Sequence, residues 1–323
     1  MFETIDYVQA SLFLSSGLAM GFGAIGAGLG EGYAAGMAND GLSSRPEKSV
    51  EVIKNMLVGQ AIAESAAIFA LVVAILILFG NASGQPPLKL WACLGAGLSM
   101  GLAAIGSGIG AGLAAGKACI GIVRQPANSN RILTTMLIGS SVCQTPAIFG
   151  MVIAFLLLFL DLSAIPLYPG WAAVLGAGLS TGLSAIGPAI GEGIATTQAV
   201  DGVARHHETY STTNRMLLVG LGVTESTAVY GFLISLMLLF YGFEESHTLT
   251  ASMGLLSAGV CMGFGGIGPG LGEGITASLA LRWIARKPED SGILSRTMLV
   301  GMAVAESTGI YSLIIALLLI VVM

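Results

Sequence analysis

Charge is scarce in this chain. Asp, Glu, Lys and Arg make up 10% of its 323 residues, where a soluble domain carries about a quarter. That excludes an ordinary water-soluble globule. Basic residues are the scarcer sign: 13 Lys and Arg against 18 Asp and Glu leave a net charge of -5. No basic stripe exists to neutralise phosphates, so nucleic acid is excluded as a partner. Cysteine is nearly absent. Cys93, Cys119, Cys143 and Cys261 fall singly inside apolar runs, which excludes a disulfide framework or a paired-spacing metal site and leaves small packing residues. The leading segment Met1-Phe2-Glu3-Thr4-Ile5-Asp6 is acidic and lacks the basic region of a signal peptide.

What is present is hydrocarbon-compatible surface and glycine. The chain is 54% hydrophobic with 47 glycines and has a mean hydropathy of +0.86. A membrane span needs about 20 mainly apolar residues. Eight such segments stand out: 8–38, 50–79, 90–122, 132–160, 171–200, 216–241, 249–283 and 294–323. All are expected to be helices, because an open strand in lipid leaves its backbone unpaired. Several exceed the bilayer and should tilt or project. Polar links group them into four hairpins, 1–84, 85–165, 166–246 and 247–323. Arg45, Lys48, Lys54, Lys117, Arg124, Arg131, Arg205, Arg215, Arg282, Arg286, Lys287 and Arg296 all sit in or beside the hairpin loops, and Lys89 alone lies at the other end. The positive-inside rule makes the loops cytoplasmic and both termini external. The acids Glu3, Asp6, Asp161, Glu244 and Glu245 fall on the external side.

Within each hairpin the two helices differ. The first carries a glycine ladder, Gly21, Gly23, Gly26, Gly28, Gly30 and Gly32 in repeat one, with Gly101, Gly106, Gly108, Gly110 and Gly112 in repeat two. Small residues let helix backbones approach closely in a membrane, so the first helices are expected to form a tight inner layer.

The second helices carry the chemistry. Ala63-Glu64-Ser65 interrupts an apolar run, and the stretch returns as Thr224-Glu225-Ser226 and Ala305-Glu306-Ser307, with a degenerate copy at Cys143-Gln144-Thr145. The steps from Glu64 to Gln144, Glu225 and Glu306 are 80, 81 and 81 residues, an internal repeat. A charge at the bilayer centre costs about 2.5–3.5 kcal/mol on insertion scales, so each acid must be balanced. Each first helix holds a matching position, Glu31, Ala111, Glu192 and Glu273. The midpoints between Glu31 and Glu64, Glu192 and Glu225, and Glu273 and Glu306 fall in the loops beside Glu47, Glu208 and Glu289. Each pair thus lies at one depth, roughly 24 Å up both helices.

Two ionised carboxylates side by side in lipid repel and are both desolvated. A shared proton, a bound cation, or both relieves them, and the pair titrates as a coupled unit. Ser65, Ser226 and Ser307 follow the second-helix acids, and Tyr230 and Tyr311 stand five residues on, with Phe69 in repeat one. Hydroxyl and carboxylate oxygens suit a hard cation, and a phenol can hold a carboxylate closed. A bare proton carrier needs only the carboxyl.

These features resemble the c-type proteolipid, the rotor-ring component of rotary F-type ATP synthases. The resemblance rests on the glycine ladder, on Glu-Ser-x-x-x-Tyr at Glu225 to Tyr230, and on the loop Arg124-Gln125-Pro126. Arg286-Lys287-Pro288 is close to that loop; repeat one has Arg45-Pro46 and repeat three Arg205-His206-His207. It covers the whole chain as four fused hairpins. It implies an all-α membrane protein, a homo-oligomeric ring bathed in lipid and turning against the stator a subunit. The loops, Arg45, Arg124, Gln125, Pro126, Arg205 and Arg286 among them, would contact the central stalk. The resemblance also implies a non-catalytic role in the plasma membrane of a prokaryote. No Gly-x-x-x-x-Gly-Lys-Ser/Thr cradle occurs, so ATP chemistry would lie in other subunits. Val223-Thr224-Glu225-Ser226 and Val304-Ala305-Glu306-Ser307 look like the sodium-dependent members. Carried over, the carbonyls of Val223, Val304 and Ile62 join the carboxylates and serines as ligands for Na+. Glu31, Glu192 and Glu273 stand where a sodium-binding Gln usually does, so a site would hold a sodium ion and a proton together. A proton-only ring, of this or the vacuolar type, is the alternative; a transporter built from repeats is a further one.

Repeat two departs, with Gln144, Ala111 and Pro146, and is expected to be kinked and to carry no ion. A sharper alternative has Gln144 facing Glu31 or Glu192. Three working carboxylates per four hairpins would lower the ion-to-ATP ratio and favour ATP-driven pumping. Pro188 and Pro269, four residues before Glu192 and Glu273, are expected to be tolerated prolines of buried spans.

Overall fold

The computed structural model describes residues 4–81, 83–163 and 165–322; Glu3 and Met323 lie outside them. The described chain is helical throughout: α1 (Thr4–Ser44), α2 (Ser49–Leu78), α3 (Leu88–Arg124), α4 (Ser129–Val142), α5 (Thr145–Phe159), α6 (Leu167–Ser184), α7 (Ile186–Arg205), α8 (Tyr210–Thr224), α9 (Ser226–Phe240), α10 (Leu249–Arg286) and α11 (Ser291–Val322). Among the described residues these make eight spans of 33 to 39 residues, each long and apolar enough to cross a membrane. The chain is therefore an all-α, multi-pass integral membrane protein of four tandem hairpins.

The four hairpin turns share one conformation. A single 3₁₀ turn, at Pro46–Lys48, Pro126–Asn128, His207–Thr209 and Pro288–Asp290, joins the two helices each time. The residue before it has nearly the same backbone in all four: φ −142° at Arg45, −137° at Gln125, −131° at His206 and −135° at Lys287. Proline explains three of the four. It pushes its predecessor out of the helical region and opens a helical turn readily. His207 takes the same path without one.

Three spans are interrupted. The second-hairpin outer span breaks at residues 143–144, just before Pro146, as a proline without an N–H dictates. The third hairpin breaks twice, at Ala185 and at Glu225. Pro188 accounts for the first, since it cannot bond the Ser184 carbonyl one turn back. At Glu225 the turn tightens instead, with the Ala228 amide donating to the Glu225 carbonyl at 3.0 Å. Pro269 occupies the corresponding place in α10, yet that helix runs through it.

The first helices form an inner layer in the order α1, α3, α6–α7, α10, with α1 and α10 at its edges. The spacing is set by glycine. A Cβ on Gly112 would sit 2.2 Å from the Gly30 Cα, and one on Gly274 would sit 2.2 Å from the Gly191 Cα; backbone meets backbone at both places, and no side chain fits. The second helices form an outer layer. Each lies over the groove between its own inner helix and the inner helix of the next hairpin: α2 on α1 and α3, α4–α5 on α3 and α6–α7, α8–α9 on α6–α7 and α10. At the end of the row α11 rests mainly on α10, and only 17% of its most apolar stretch is buried. Val304 and Tyr311 on α11 are accordingly 68% and 63% exposed.

Candidate functional site

The offset of the outer layer decides how the mid-membrane groups meet. Within a hairpin the two acids are electrostatic neighbours: Glu31 with Glu64, Glu192 with Glu225, Glu273 with Glu306. The hydroxyls come from the hairpin before. The Tyr230 phenol donates to Glu306 Oε1 at 2.6 Å, so a tyrosine of hairpin three holds a carboxylate of hairpin four. Thr145, which takes the register of Ser65, Ser226 and Ser307, stands beside Glu225 of hairpin three. Ser65 of hairpin one lies 3.1 Å from Gln144 Oε1 of hairpin two. One rule covers all three contacts: hairpin n supplies the hydroxyls, hairpin n+1 the carboxylate or, in hairpin two, the amide that replaces it.

The junctions differ in content. Between hairpins three and four stand Glu273, Glu306, Tyr230, Ser226 and the Val223 segment. Glu273 is fully buried, and both its carboxylate oxygens lack a hydrogen-bond partner; the Ser226 hydroxyl is also buried without one. Between hairpins two and three stand Glu192, Glu225, Thr145 and Cys143. Glu192 is also fully buried with both oxygens unpartnered, and the Cys143 thiol is its electrostatic neighbour. Phe149 takes the tyrosine's place and stacks on Phe232 at 5.2 Å. Between hairpins one and two there is no carboxylate. Gln144 Nε2 donates to the Ser107 carbonyl at 3.3 Å, and Ala111 is buried. Gln144 therefore spends its amide on Ser107 and Ser65, not on Glu31 or Glu192.

Glu31, Glu64, Val304, Ser307 and Tyr311 belong to the two edges. Glu64 is exposed and Glu31 half-buried. The Ser307 hydroxyl turns back to the Val304 carbonyl at 2.7 Å, as Ser65 does to Ile62 at 2.6 Å. The chain thus ends in two half-sites, acids on hairpin one and oxygens of the opposite kind on hairpin four.

Sequence reasoning missed Thr145 as a contributor, although its register beside the serines was visible. It also missed Asp201 at the loop end of α7. Asp201 bonds Arg124 at 2.8 Å, Arg205 at 2.7 Å and Lys117 at 3.3 Å, pinning hairpin two to hairpin three. Of the loop residues expected to face a stalk, Arg45 donates to the Val123 carbonyl at 3.0 Å, and Arg286 lies over the Trp283 ring. Gln125 and Pro126 form the turn itself. At the opposite end Lys89 donates to the Leu158 carbonyl.

Comparison with known proteins agrees with this layout. The model of the ATP synthase C-subunit family matches the chain four times, over residues 14–77, 94–157, 175–238 and 256–319. The K subunit of the A-type ATP synthase of Methanocaldococcus jannaschii is 34% identical over 236 residues, which span 72% of this chain and 96% of that protein. The ATP synthase c-subunit of Petrotoga mobilis is 56% identical over 69 residues, 21% of this chain and 72% of the relative. That of Thermotoga petrophila is 52% identical over 67 residues, 21% and 79% of the two chains. The two c-subunit relatives thus each match about one fifth of this molecule.

Proposed function

The chain belongs to the ATP synthase C-subunit family, and from that premise we propose that it is a sodium-carrying section of a rotor ring. As a member it is a non-catalytic, ion-translocating membrane rotor component of a rotary ATPase. The observation that carries the choice of ion is the junction between hairpins three and four. A proton carrier needs one carboxyl group, yet Glu306 is met by the Tyr230 phenol at 2.6 Å and neighbours a second, unpartnered acid, Glu273, while a buried Ser226 hydroxyl lies beside Tyr230. Oxygen donors of that kind, with the Val223 carbonyl one turn before, suit a hard monovalent cation. Two carboxylates balance one sodium and one proton, so each loaded site is neutral in lipid. A ring of this chain would close head to tail, hairpin four of one copy meeting hairpin one of the next. That contact would join Val304, Ser307 and Tyr311 to Glu64 and Glu31 and complete a further site. The stator would exchange ions with the sites at mid-membrane. The cytoplasmic loops would carry the foot of the central stalk, and lipid would cover the outer layer in a prokaryotic plasma membrane.

The test is carbodiimide labelling of the assembled ring, with and without sodium, read residue by residue. Labelling of Glu64, Glu225 and Glu306 that sodium suppresses is the expected result. Labelling indifferent to sodium at every pH would make the ring a proton carrier. A transporter built from repeats would instead be active as a solitary bundle.

A further inference from the structure

At the loop end of the junction between hairpins one and two, a cavity of about 230 Å³ opens between α2 and α4. Glu51, Lys54 and Asn55 line it from α2, and Ser129 and Asn130 line it from the first turn of α4. Asn55 is 2% exposed; its amide nitrogen donates to the Cys119 sulfur at 3.4 Å, and its oxygen has no partner. A buried oxygen of that kind calls for an N–H or O–H. Glu51 and Lys54 stand three residues apart on one helix face, yet neither joins an ion pair among the described residues. The other two junctions fill this place with protein. The positions of Glu51 and Ser129 recur as Arg131 and Tyr210 between hairpins two and three, where the guanidinium lies over the ring at 5.5 Å and donates to the His207 carbonyl at 3.0 Å. The positions of Asn55 and Leu133 recur as Met216 and Ser295 between hairpins three and four, with the serine donating to the methionine sulfur at 3.0 Å.

We propose that the cavity holds the headgroup of an aminophospholipid, a phosphate and a primary ammonium on one lipid, drawn from the loop-side leaflet. Depth points to a lipid. With Glu64 at mid-membrane, Asn55 and Glu51 stand nine and thirteen residues nearer the loop, about 13 and 20 Å along the helix. The hydrocarbon ends about 15 Å from the centre, so the cavity spans the level at which headgroups begin. Its volume of about 230 Å³ is below the roughly 300–1,000 Å³ of pockets for drug-sized ligands; it suits a small polar group whose tails stay outside. Charge selects the group. Lys54 and the Ser129 hydroxyl suit a phosphate. The Glu51 carboxylate and the free Asn55 oxygen suit the N–H bonds of an ammonium, and the whole headgroup carries both signs as its walls do.

The experiment uses the full-length chain, stripped of lipid in detergent, and counts bound lipid by native mass measurement. One phosphatidylethanolamine per chain is expected, held about tenfold more tightly than phosphatidylcholine, whose trimethylated nitrogen has no N–H for Glu51 or Asn55. Glu51→Gln, at an exposed position, should remove most of that preference, and Asn55→Leu should do the same. Lys54→Gln should weaken both lipids, because both carry the phosphate. Equal binding of the two lipids by the unaltered chain, or a preference that Glu51→Gln leaves intact, overturns the assignment. Soluble phosphoethanolamine binding as tightly as the lipid overturns it too, and makes the cavity a site for a free phosphoamine. Should Asn55→Leu not fold, the two exposed variants still decide. The cavity lies within one chain and apart from the mid-membrane carboxylates, so none of these outcomes bears on the sodium reading.

Discussion

Gly32 and Gly112 occupy the same register in hairpins one and two, but only one of them touches anything within the chain. A Cβ on Gly112 would lie 2.2 Å from the Gly30 Cα and 2.4 Å from its carbonyl oxygen, whereas one on Gly32 meets nothing within 4 Å. Ordinary contact begins near 3.4 Å, so Gly112→Ala must push α1 and α3 apart by about 1 Å along backbones that have no side chain to rotate away. Forced overpacking of this kind costs about 1–3 kcal/mol. Gly112→Ala should therefore weaken the chain itself, seen as a lower melting midpoint of the dissociated chain in detergent. Gly32→Ala should leave that midpoint where it was. Its effect should appear only on assembly: in a head-to-tail ring, Gly32 would face hairpin four of the next copy as Gly112 faces Gly30, and the same clash would be repeated at every chain-to-chain junction. Ring yield, read by native mass measurement or by the detergent-resistant band on a gel, should fall steeply for Gly32→Ala. Gly28→Ala, at the register of Gly108 and also open within the chain, should behave likewise. Rings of Gly32→Ala forming as well as unaltered ones would refute the head-to-tail closure. A loss of stability in the lone Gly32→Ala chain would refute the packing on which it rests.

Tyr230→Phe removes the 2.6 Å bond to Glu306. A hydrogen bond to a charged group contributes about 1.5–3 kcal/mol, so half-protection of Glu306 should need roughly tenfold to a hundredfold more sodium, with Glu225 unaffected; an equal shift at Glu225 would undo the pairing of hairpins three and four. Asp201→Asn leaves Lys117, Arg124 and Arg205 without their shared carboxylate. Because the two arginines are 44% exposed, the loss should be modest, about 1–2 kcal/mol. The melting midpoint should drop, and raising the salt should lower it less than in the unaltered chain. Gln144→Glu should add a fourth reactive acid beside Ser65, detected as carbodiimide adduct at residue 144; a protein inert there at every pH would show the first junction closed to the reagent.

The number of hairpins, their spans and the equal depth of paired acids were legible because hydropathy and an 80- to 81-residue period are properties of the line of residues alone. The donor of each hydroxyl was not. Whether Tyr230 serves Glu225 or Glu306 depends on which way the outer helix leans, and both acids lie within one turn or one junction of it. The bond to Glu306 follows from α8–α9 lying over the groove toward α10, a matter of packing direction that no local pattern carries. Prolines show the same boundary. Pro146 and Pro188 accompany breaks while Pro269 sits inside an unbroken α10, although Pro188 and Pro269 share a register. Asp201 was passed over because its three cations come from residues 117, 124 and 205, which converge only when hairpins two and three stand side by side.

Fusion has a consequence that separate hairpins cannot achieve. In a ring of free single hairpins, an acid-free copy would take random positions. Here Gln144 is covalently fixed between Glu64 and Glu225, so the acid-free junction recurs once every four hairpins wherever the ring begins. A stator charge would meet Glu225, Glu306 and the next copy's Glu64 at single-hairpin steps, and would then wait two steps for the following Glu225. Over that double step no ion helps the rotation, so torque must come from the sites on either side or from ATP. The junctions that flank the gap are the two whose ligand sets differ from the complete one within the chain: the site shared between copies and the site that ends in Thr145 and Phe149. Restoring the acid with Gln144→Glu should then raise the ions carried per turn from three to four for each chain. The measurement is the sodium-to-ATP ratio in sealed vesicles. A ratio unchanged while residue 144 becomes reactive would show that the gap does not govern coupling.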